Sequence, residues 1–182
     1  MIIGKQFEDS ENYQEFIKII NKEKIKFYVV EAGQRINIEK NLYFDVLWPN
    51  SDNVVMENIL NNNSIVAILK YKDFKMLFTG DIEEIAEEKI LQEVNEELLK
   101  AEVLKIAHHG SKSSTSQQFL NAVSPKIALI GVSKINKFGH PNDEVIKRLR
   151  KLKVDIYRTN ENGEINLLIN SKGRLKVMNF IK

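Results

Sequence analysis

Few side chains in this sequence can bind a metal ion or move a proton near neutral pH, and they follow predicted strands. The 182 residues include three histidines and no cysteine, so a metal site would have to use imidazole and carboxylate ligands. His108 and His109 directly follow the apolar segment 103–107, and His140 follows the apolar segment 126–132. Because α/β domains place their sites at the carboxyl ends of strands, these positions predict one shared site. Imidazoles and a carboxylate there would suit a metal centre that activates water for hydrolysis.

Asp81 is the candidate carboxylate, and two interpretations of it stay open. It ends the apolar run Leu77-Phe78-Thr79-Gly80-Asp81, which suits a metal ligand or a general base. It also stands directly before the clearest predicted helix, with Glu84 three residues further on, which is the spacing of a capping box. The two roles are compatible, because each carboxylate oxygen can serve one of them.

The polar loop 110–116 follows the paired histidines and offers donors for an anion. Gly110 allows a sharp turn of the backbone, and a phosphate could be held by the hydroxyl and ammonium groups of Ser111, Lys112 and Ser113. The alternative is an ordinary polar loop whose serines cap the next short helix. Similarly, the turn 136–141 around His140 is either part of the site or a simple helix entry, capped by Asn142 or Asp143.

Length, composition and charge exclude several classes of protein. A chain of 182 residues fits one domain, and no apolar run approaches the 18 or so residues of a membrane span. The absence of cysteine excludes disulfides and thiolate catalysis; no P-loop or dinucleotide-binding turn is visible. Residues 1–100 carry 12 basic and 19 acidic side chains, whereas residues 101–182 carry 15 and 6. The basic second half suits a phosphate-rich partner, or is simply an uneven solvated surface.

The elements that must position these residues alternate between strands and helices. Hydrophobic periodicity and turn residues predict a layered α/β domain with a mixed sheet and flanking helices. The predicted helices are 8–21, 82–99, 117–122 and 143–152. The predicted strands are 27–30, 34–38, 42–48, 64–71, 74–79, 103–107, 126–132, 154–158, 165–169 and 175–180.

Several of these residues occur together, in the same order, in a known family. The matching segments are Leu47-Trp48-Pro49, 61–66 with Asn61-Asn62-Asn63, Thr79-Gly80-Asp81, 104–111 with His108-His109-Gly110-Ser111, Ser113-Ser114, Asn136, Gly139-His140-Pro141, Tyr157-Arg158-Thr159-Asn160 and Gly163. Over about residues 25–169, the chain resembles the metallo-β-lactamase-fold domain of ComEC-type competence proteins and their soluble relatives.

The resemblance implies a fold, a chemistry and roles for individual residues. The fold would be an αββα sandwich holding two zinc or manganese ions, and its members hydrolyse nucleic acids, other phosphodiesters and esters. In ComEC the domain is proposed to degrade the DNA strand that is not imported. Asp81 would bridge the two metals, and either His108 or His109 would be a further ligand. The remaining implied roles are catalysis for His108, His109 and His140, substrate binding for Ser111, Lys112, Ser113, Asn136 and His140, and replacement of a histidine ligand for Asn63.

One departure from the family limits what this chain can do. The family's first motif, His-x-His-x-Asp-His, cannot be present because no histidine precedes His108. We therefore expect residues 1–182 to form a single but incomplete domain, the C-terminal half of the sandwich. Such a chain would hold no ion or one ion weakly, and would hydrolyse negligibly alone. It would be a truncated gene product, a cloned fragment, or one half of a pair of chains.

Two functions from different classes remain. The first is part of a nuclease or phosphodiesterase linked to DNA uptake in the complete protein, with single-stranded DNA or another phosphodiester as substrate. The alternative is a non-catalytic module that binds nucleic acid or an anionic partner and keeps a relic metal site. A half-sandwich would also expose an apolar sheet face, which favours a homodimer or docking of the missing N-terminal half. We expect a soluble chain, in the bacterial cytoplasm or tethered to a membrane protein.

Overall fold

A computed structural model describes residues 1–5 and 10–180, so the first two residues of the predicted helix 8–21 lie outside the described residues. The strands are β1 (Ile2–Gly4), β2 (Tyr28–Val30), β3 (Arg35–Glu39), β4 (Leu42–Trp48), β5 (Val66–Tyr71), β6 (Phe74–Phe78), β7 (Val103–Lys105), β8 (Ile127–Ile130), β9 (Asp155–Arg158), β10 (Glu164–Ile169) and β11 (Leu175–Phe180). The α-helices are α1 (Glu11–Lys22), α2 (Ile59–Asn62), α3 (Glu84–Glu93), α4 (Glu96–Leu99), α5 (Gln117–Val123), α6 (Asp143–Lys151) and α7 (Thr159–Asn162).

The main sheet has seven strands in the order β3-β4-β5-β6-β7-β8-β9. Strands β3 to β6 pair antiparallel, whereas β6 to β9 pair parallel. The predicted mixed sheet with flanking helices is thus confirmed. Because the four parallel strands run the same way, their carboxyl ends meet at one edge. Two smaller sheets accompany it, the parallel pair β1-β2 and the hairpin β10-β11.

Helices and the hairpin cover opposite faces of the main sheet. On one face, Leu77, Leu104 and Ile130 pack in a buried cluster with residues of α3, α5 and α6. On the other face, Phe74, Met76 and Val103 are buried, and the hairpin residues Leu167, Ile169 and Leu175 pack against them. Burying these side chains on both faces stabilises the strands that carry the candidate site.

Burial on the hairpin side of the sheet is less complete around β4 and its neighbours. Phe44 of β4 is aligned with Leu69 of β5, its ring lies 5.8 Å from that of Phe78, and all three side chains are only partly buried.

In the described residues no helix combines the length and apolar character needed to cross a bilayer.

The predicted helix 82–99 is wrong as a single element. The helix ends at Glu93 because Val94 takes an extended conformation with φ −97° and ψ 130°. A second, short helix then starts after Asn95, whose side chain accepts a hydrogen bond from the amide of Glu97.

The interpretation of Asp81 as the N-cap of α3 is also wrong. The helix begins only at Glu84, and Glu83 occupies the N-cap position.

Candidate functional site

Three neighbouring parallel strands bring the predicted site residues to one edge of the sheet. Asp81 follows β6, His108 and His109 follow β7, and His140 follows β8. The amide of His108 donates to the carbonyl of Gly80 at 3.1 Å, which joins the first two segments. The rings of His108 and His140 lie 6.0 Å apart. The segments that carry these residues thus lie side by side at one edge of the sheet, whereas the shared site and the catalytic and ligand roles of these residues stay predictions.

The two adjacent histidines point to different neighbours. Both lie in a 3-10 turn with positive φ, 45° for His108 and 56° for His109. Nδ1 of His108 is buried, lies 3.6 Å from Oε1 of Glu83, and makes no hydrogen bond within the described chain. Nδ1 of His109 contacts the carbonyl oxygen of Gly131 at 2.6 Å. A carbonyl only accepts, so Nδ1 of His109 is the donor in this contact.

Glu83 is a site residue that the sequence analysis missed. Its carboxylate accepts hydrogen bonds from Nδ2 of Asn58 at 2.7 Å, Oγ of Ser113 at 2.9 Å and Nδ2 of Asn62 at 3.3 Å. Burial acts to raise the pKa of Glu83, but these hydrogen bonds and nearby His108 outweigh it and hold the pKa below its usual value. The charged carboxylate therefore ties together the segments around His108. Its position two residues after Asp81 was the only signal in the sequence.

Lys105 is a second residue that the sequence analysis missed, and its side chain lies near Asp81. Its Nζ donates to the carbonyl of Ile106 at 2.8 Å. Burial lowers the pKa of Lys105, and the carboxylate of Asp81 is near enough to act in the opposite direction. Lys105 is the last residue of β7. A lysine at the end of an apolar strand is common, so the sequence did not mark it as a site residue.

The side chain of Asn63, which the resemblance suggested as a metal ligand, makes its hydrogen bonds within a turn. Its Oδ1 accepts from the amide of Val55 at 3.2 Å, and its Nδ2 donates to the carbonyls of Val55 at 2.8 Å and Ile59 at 2.7 Å. Both polar atoms of the side chain therefore stabilise the 55–63 turn. Nε1 of Trp48 donates to the carbonyl of Asn62 at 2.7 Å and fixes the same turn. This geometry does not favour Asn63 as a replacement ligand.

The loop 111–116 is held by protein groups, including those predicted to bind an anion. Ser113 donates to Glu83, and Oγ of Ser111 lies 3.1 Å from Oγ of Ser113. Exposed Lys112 forms an ion pair with Glu144 at 3.3 Å. Ser116 caps α5 by accepting from the amide of Phe119 at 3.2 Å, so the capping alternative is confirmed for that serine.

Glu87 fixes the far end of this loop from within the core. Its side chain has no solvent exposure, and it accepts hydrogen bonds from the amides of Thr115 and, at 2.8 Å, Ser116. Burial raises the pKa of Glu87, and the hydrogen bonds counteract that effect. Arg148 donates to the carbonyls of Ser114 at 3.1 Å and Thr115 at 2.9 Å. Groups buried near α3, α5 and α6 therefore position the loop next to the histidines.

His140 is held in its turn by Asn136. Oδ1 of Asn136 accepts from the amide of His140 at 2.7 Å, and its Nδ2 donates to the carbonyl of His140 at 3.0 Å. Asn136 thus positions His140, whatever contact it makes with a substrate. Burial, with smaller effects of His108 and His109, lowers the pKa of His140. The alternative cap is confirmed at the following helix, where Asn142 accepts from the amide of Glu144.

An open cavity of about 430 Å³ borders the histidines. Its walls are His109, Gly131, Val132, Ser133, Asn136, Phe138, His140 and Thr159. Thr159 fixes one wall, because its hydroxyl accepts from the amide of Val132 at 2.7 Å and donates to the carbonyl of Val132 at 2.8 Å. The cavity opens to solvent beside His109 and His140, where an extended ligand would reach both rings.

The residues present do not by themselves fit a metal centre. Within residues 1–5 and 10–180, no three histidine, cysteine, aspartate or glutamate side chains are grouped so that they could hold an ion. A catalytic zinc takes three protein ligands, and a hydrolytic two-metal site needs more. Here Nδ1 of His108 faces Glu83 and Nδ1 of His109 faces a carbonyl. A complete centre would need donors beyond those described.

Comparison with known proteins finds relatives among competence proteins. ComE operon protein 3 of Bacillus subtilis is 30% identical over 165 residues, covering 91% of this chain and 20% of that protein. Recombination protein 2 of Haemophilus influenzae is 32% identical over 128 residues, 70% of this chain and 15% of that protein. Competence protein ComA of Neisseria gonorrhoeae is 34% identical over 109 residues, 58% of this chain and 16% of that protein. The chain spans a fifth or less of the length of these curated relatives.

The fold has a likeness among solved structures. A candidate metal-dependent hydrolase from Parabacteroides distasonis superposes with a TM-score of 0.50 and 17% identity, over 87% of this chain and 63% of that chain. No protein-family model matches the sequence. At this identity the likeness speaks for the fold alone, and it agrees with the mixed sheet and its flanking helices. The chain therefore belongs with the ComEC-type competence proteins, as a homologue of a segment that has the metallo-β-lactamase-like fold.

Proposed function

We propose that this chain is the C-terminal part of a ComEC-like metal-dependent hydrolase, and that the complete protein is a nuclease or phosphodiesterase linked to DNA uptake. The observation that supports the proposal is the position of Asp81, His108, His109 and His140 directly after three adjacent parallel strands, at one edge of the sheet. Carboxylate and imidazole groups at such an edge are the ligands and proton carriers of hydrolytic metal sites. The competence relatives support DNA as the phosphodiester.

The chain alone is proposed to have negligible turnover. Asp81 with one or two imidazoles falls short of the three protein ligands of a catalytic zinc site. The remaining ligands would come from a polypeptide carrying the family's His-x-His-x-Asp-His motif, and zinc or manganese would supply the activated water in the completed site. This chain would contribute the C-terminal ligands and the walls of the substrate cavity.

Within that site, this chain's residues have distinct proposed tasks. His109 and His140 border the 430 Å³ cavity and would lie beside the phosphodiester, whose oxygens accept hydrogen bonds. Asn136 would position His140 through its two hydrogen bonds. Glu83 would position His108. Lys105 would place a positive charge near Asp81.

The test is hydrolysis of single-stranded DNA and of bis(p-nitrophenyl) phosphate with added Mn²⁺ or Zn²⁺. The chain alone should show no metal-dependent turnover. Mixing it with a polypeptide that carries the missing motif should produce turnover, and Asp81→Ala in this chain should abolish it. Asp73→Ala, an exposed carboxylate away from the site, is the matched control. Metal-dependent turnover by the isolated chain that is lost in Asp81→Ala would refute the proposed incompleteness.

A second candidate is a non-catalytic module that binds nucleic acid through its basic second half. The observation that favours it is that the described residues do not group three metal donors, while residues 101–182 carry 15 basic and 6 acidic side chains. Binding of single-stranded DNA should then fall steeply with salt, because each neutralised phosphate releases a counterion. DNA binding without any turnover in the mixed sample would favour this candidate over the hydrolase.

A further inference from the structure

The 133–140 loop lies between β8 and α6 and presents an aromatic ring beside the candidate site. The side chain of Phe138 is 81% exposed, and its ring lies nearly parallel to that of His140, with 5.9 Å between centroids and 15° between planes. Phe138 and His140 also line the 430 Å³ cavity. Phe138 therefore presents a planar apolar face to solvent next to His140.

The loop is held firmly enough to present that ring in one place. Asn136 clamps His140 through two hydrogen bonds. The base of the loop packs closely on the histidine turn, since a Cβ added to Gly110 would lie 2.6 Å from Cβ of Pro141. A loop held in this way loses less conformational entropy when a ligand binds.

Two lysines of the same loop are near Phe138 in the sequence. Lys134 and Lys137 are exposed, and neither forms an ion pair with any carboxylate among the described residues. Lys134 is four residues before Phe138 in the sequence, and Lys137 is the residue directly before it. An exposed aromatic ring and cations without an ion pair in the same loop match the chemistry of a nucleotide, whose base is planar and whose backbone is anionic.

We propose that the 133–140 loop binds single-stranded DNA by stacking one unpaired base on Phe138, with Lys134 and Lys137 contacting the flanking phosphates. This inference rests on the proposed function and deepens it. The stacked base would hold the strand so that the adjoining phosphodiester enters the cavity beside His109 and His140. Paired bases in a duplex are already stacked on each other, so the loop selects single strands.

The test is binding of a fluorescent oligothymidylate to the chain, measured by anisotropy. Phe138→Ala should weaken binding about tenfold, within the range of one base–aromatic stack. Phe138→Trp keeps an aromatic ring at this position and should retain the affinity of the parent chain. Ile135→Ala is the matched control, because Ile135 is an 89% exposed apolar residue of the same loop that lacks a ring; its affinity should be unchanged. Lys134→Gln and Lys137→Gln should each reduce the salt slope by about 0.7.

A second probe separates failure of this inference from failure of the proposed function. An abasic oligonucleotide of the same length keeps the phosphates but offers no base, and its binding should not depend on Phe138. If oligothymidylate and the abasic strand bind equally and Phe138→Ala changes neither, base stacking is refuted while phosphate binding stands. If neither strand binds, and the mixed sample also lacks turnover, the proposed function falls with it.

Discussion

Nδ1 of His108 lies 3.6 Å from Oε1 of Glu83, so a carboxylate absent from the family motifs quoted above is a direct neighbour of a candidate ligand. The same carboxylate accepts hydrogen bonds from Asn58 and Asn62 on one side of the site and from Ser113 on the other. Glu83 therefore links the 55–63 turn to the 111–116 loop, and both segments surround His108.

Removing this carboxylate should destabilise the site. We expect Glu83→Ala to lower the free energy of unfolding by about 2 kcal/mol, because several donors around the charged acceptor lose their partner. Glu84→Ala is the matched control, since Glu84 is exposed in the first turn of α3 and should cost about 0.5 kcal/mol. The measurement is urea unfolding followed by circular dichroism. Equal losses for the two variants would show that Glu83 has no linking role.

Glu87 should contribute more to stability than its exposed neighbour. In Glu87→Ala the buried amides of Thr115 and Ser116 lose their acceptor, and leaving them unsatisfied should cost about 2–3 kcal/mol. Glu88→Ala, exposed on the same helix, should change the free energy of unfolding by less than about 0.5 kcal/mol. Hydrogen exchange provides the local readout, with faster exchange at Thr115 and Ser116 in the first variant. Unchanged exchange at both amides would contradict the assigned hydrogen bonds.

Gly110 and Gly139 test the packing of the two histidine loops. Both have positive φ, 84° and 68°, but an added Cβ would meet Pro141 at 2.6 Å only at Gly110, while at Gly139 nothing lies within 4 Å. Gly139→Ala should therefore show only the backbone cost of about 1 kcal/mol, and Gly110→Ala about 1–3 kcal/mol more. Thermal unfolding compares the two. A Gly110→Ala variant as stable as Gly139→Ala would contradict the close contact between the loops.

Asp45 should make part of the stability depend on acid pH. It accepts hydrogen bonds from Nε of Arg35 at 2.6 Å and Nζ of Lys70 at 2.9 Å. Partial burial opposes the effect, but these two cations hold the pKa of Asp45 below 3.8. A lowered pKa in the folded state stabilises the protein above the unfolded value, and this contribution is lost as pH falls through the folded pKa.

The corresponding variant is Asp45→Asn. At neutral pH it should be less stable than the parent by about 1 kcal/mol, and the difference should shrink as pH falls below 3.8, the ordinary value. Asp73→Asn, at an exposed carboxylate without an ion pair in the described chain, should track the parent throughout. A difference that stays constant down to strongly acidic pH would contradict the assigned ion pairs.

Much of the fold was predictable because hydrophobic periodicity dominates in buried strands. The predicted strands 42–48 and 175–180 match β4 and β11. The carboxyl ends of β6 to β9 lie at one edge because these strands pair in parallel. The helix 82–99 failed because its apolar positions continue past residue 93, whereas Val94 and Asn95 break the backbone pattern. The short strand β1 and the single-turn helices α2 and α7 lack a periodic signal of their own.

The candidate site was predictable where rare residue types mark strand ends, as with His108 and His140. It was not predictable where common residues acquire their role from tertiary contacts. Glu83 and Glu87 resemble solvated helix residues in sequence, and only the fold reveals that one faces His108 and the other holds buried amides. The same holds for Asn63, whose amide is used within its own turn rather than directed at the site.

The measurement that tests the central claim most directly is the metal content of the purified chain by mass spectrometry, beside Asp81→Ala as control. If the chain carries only part of a metal centre, desalted protein should retain less than about one ion of zinc or manganese per chain, since a catalytic zinc needs three protein ligands. Two tightly held ions per chain, lost in Asp81→Ala, would contradict that claim and show that these residues build a complete hydrolytic site alone.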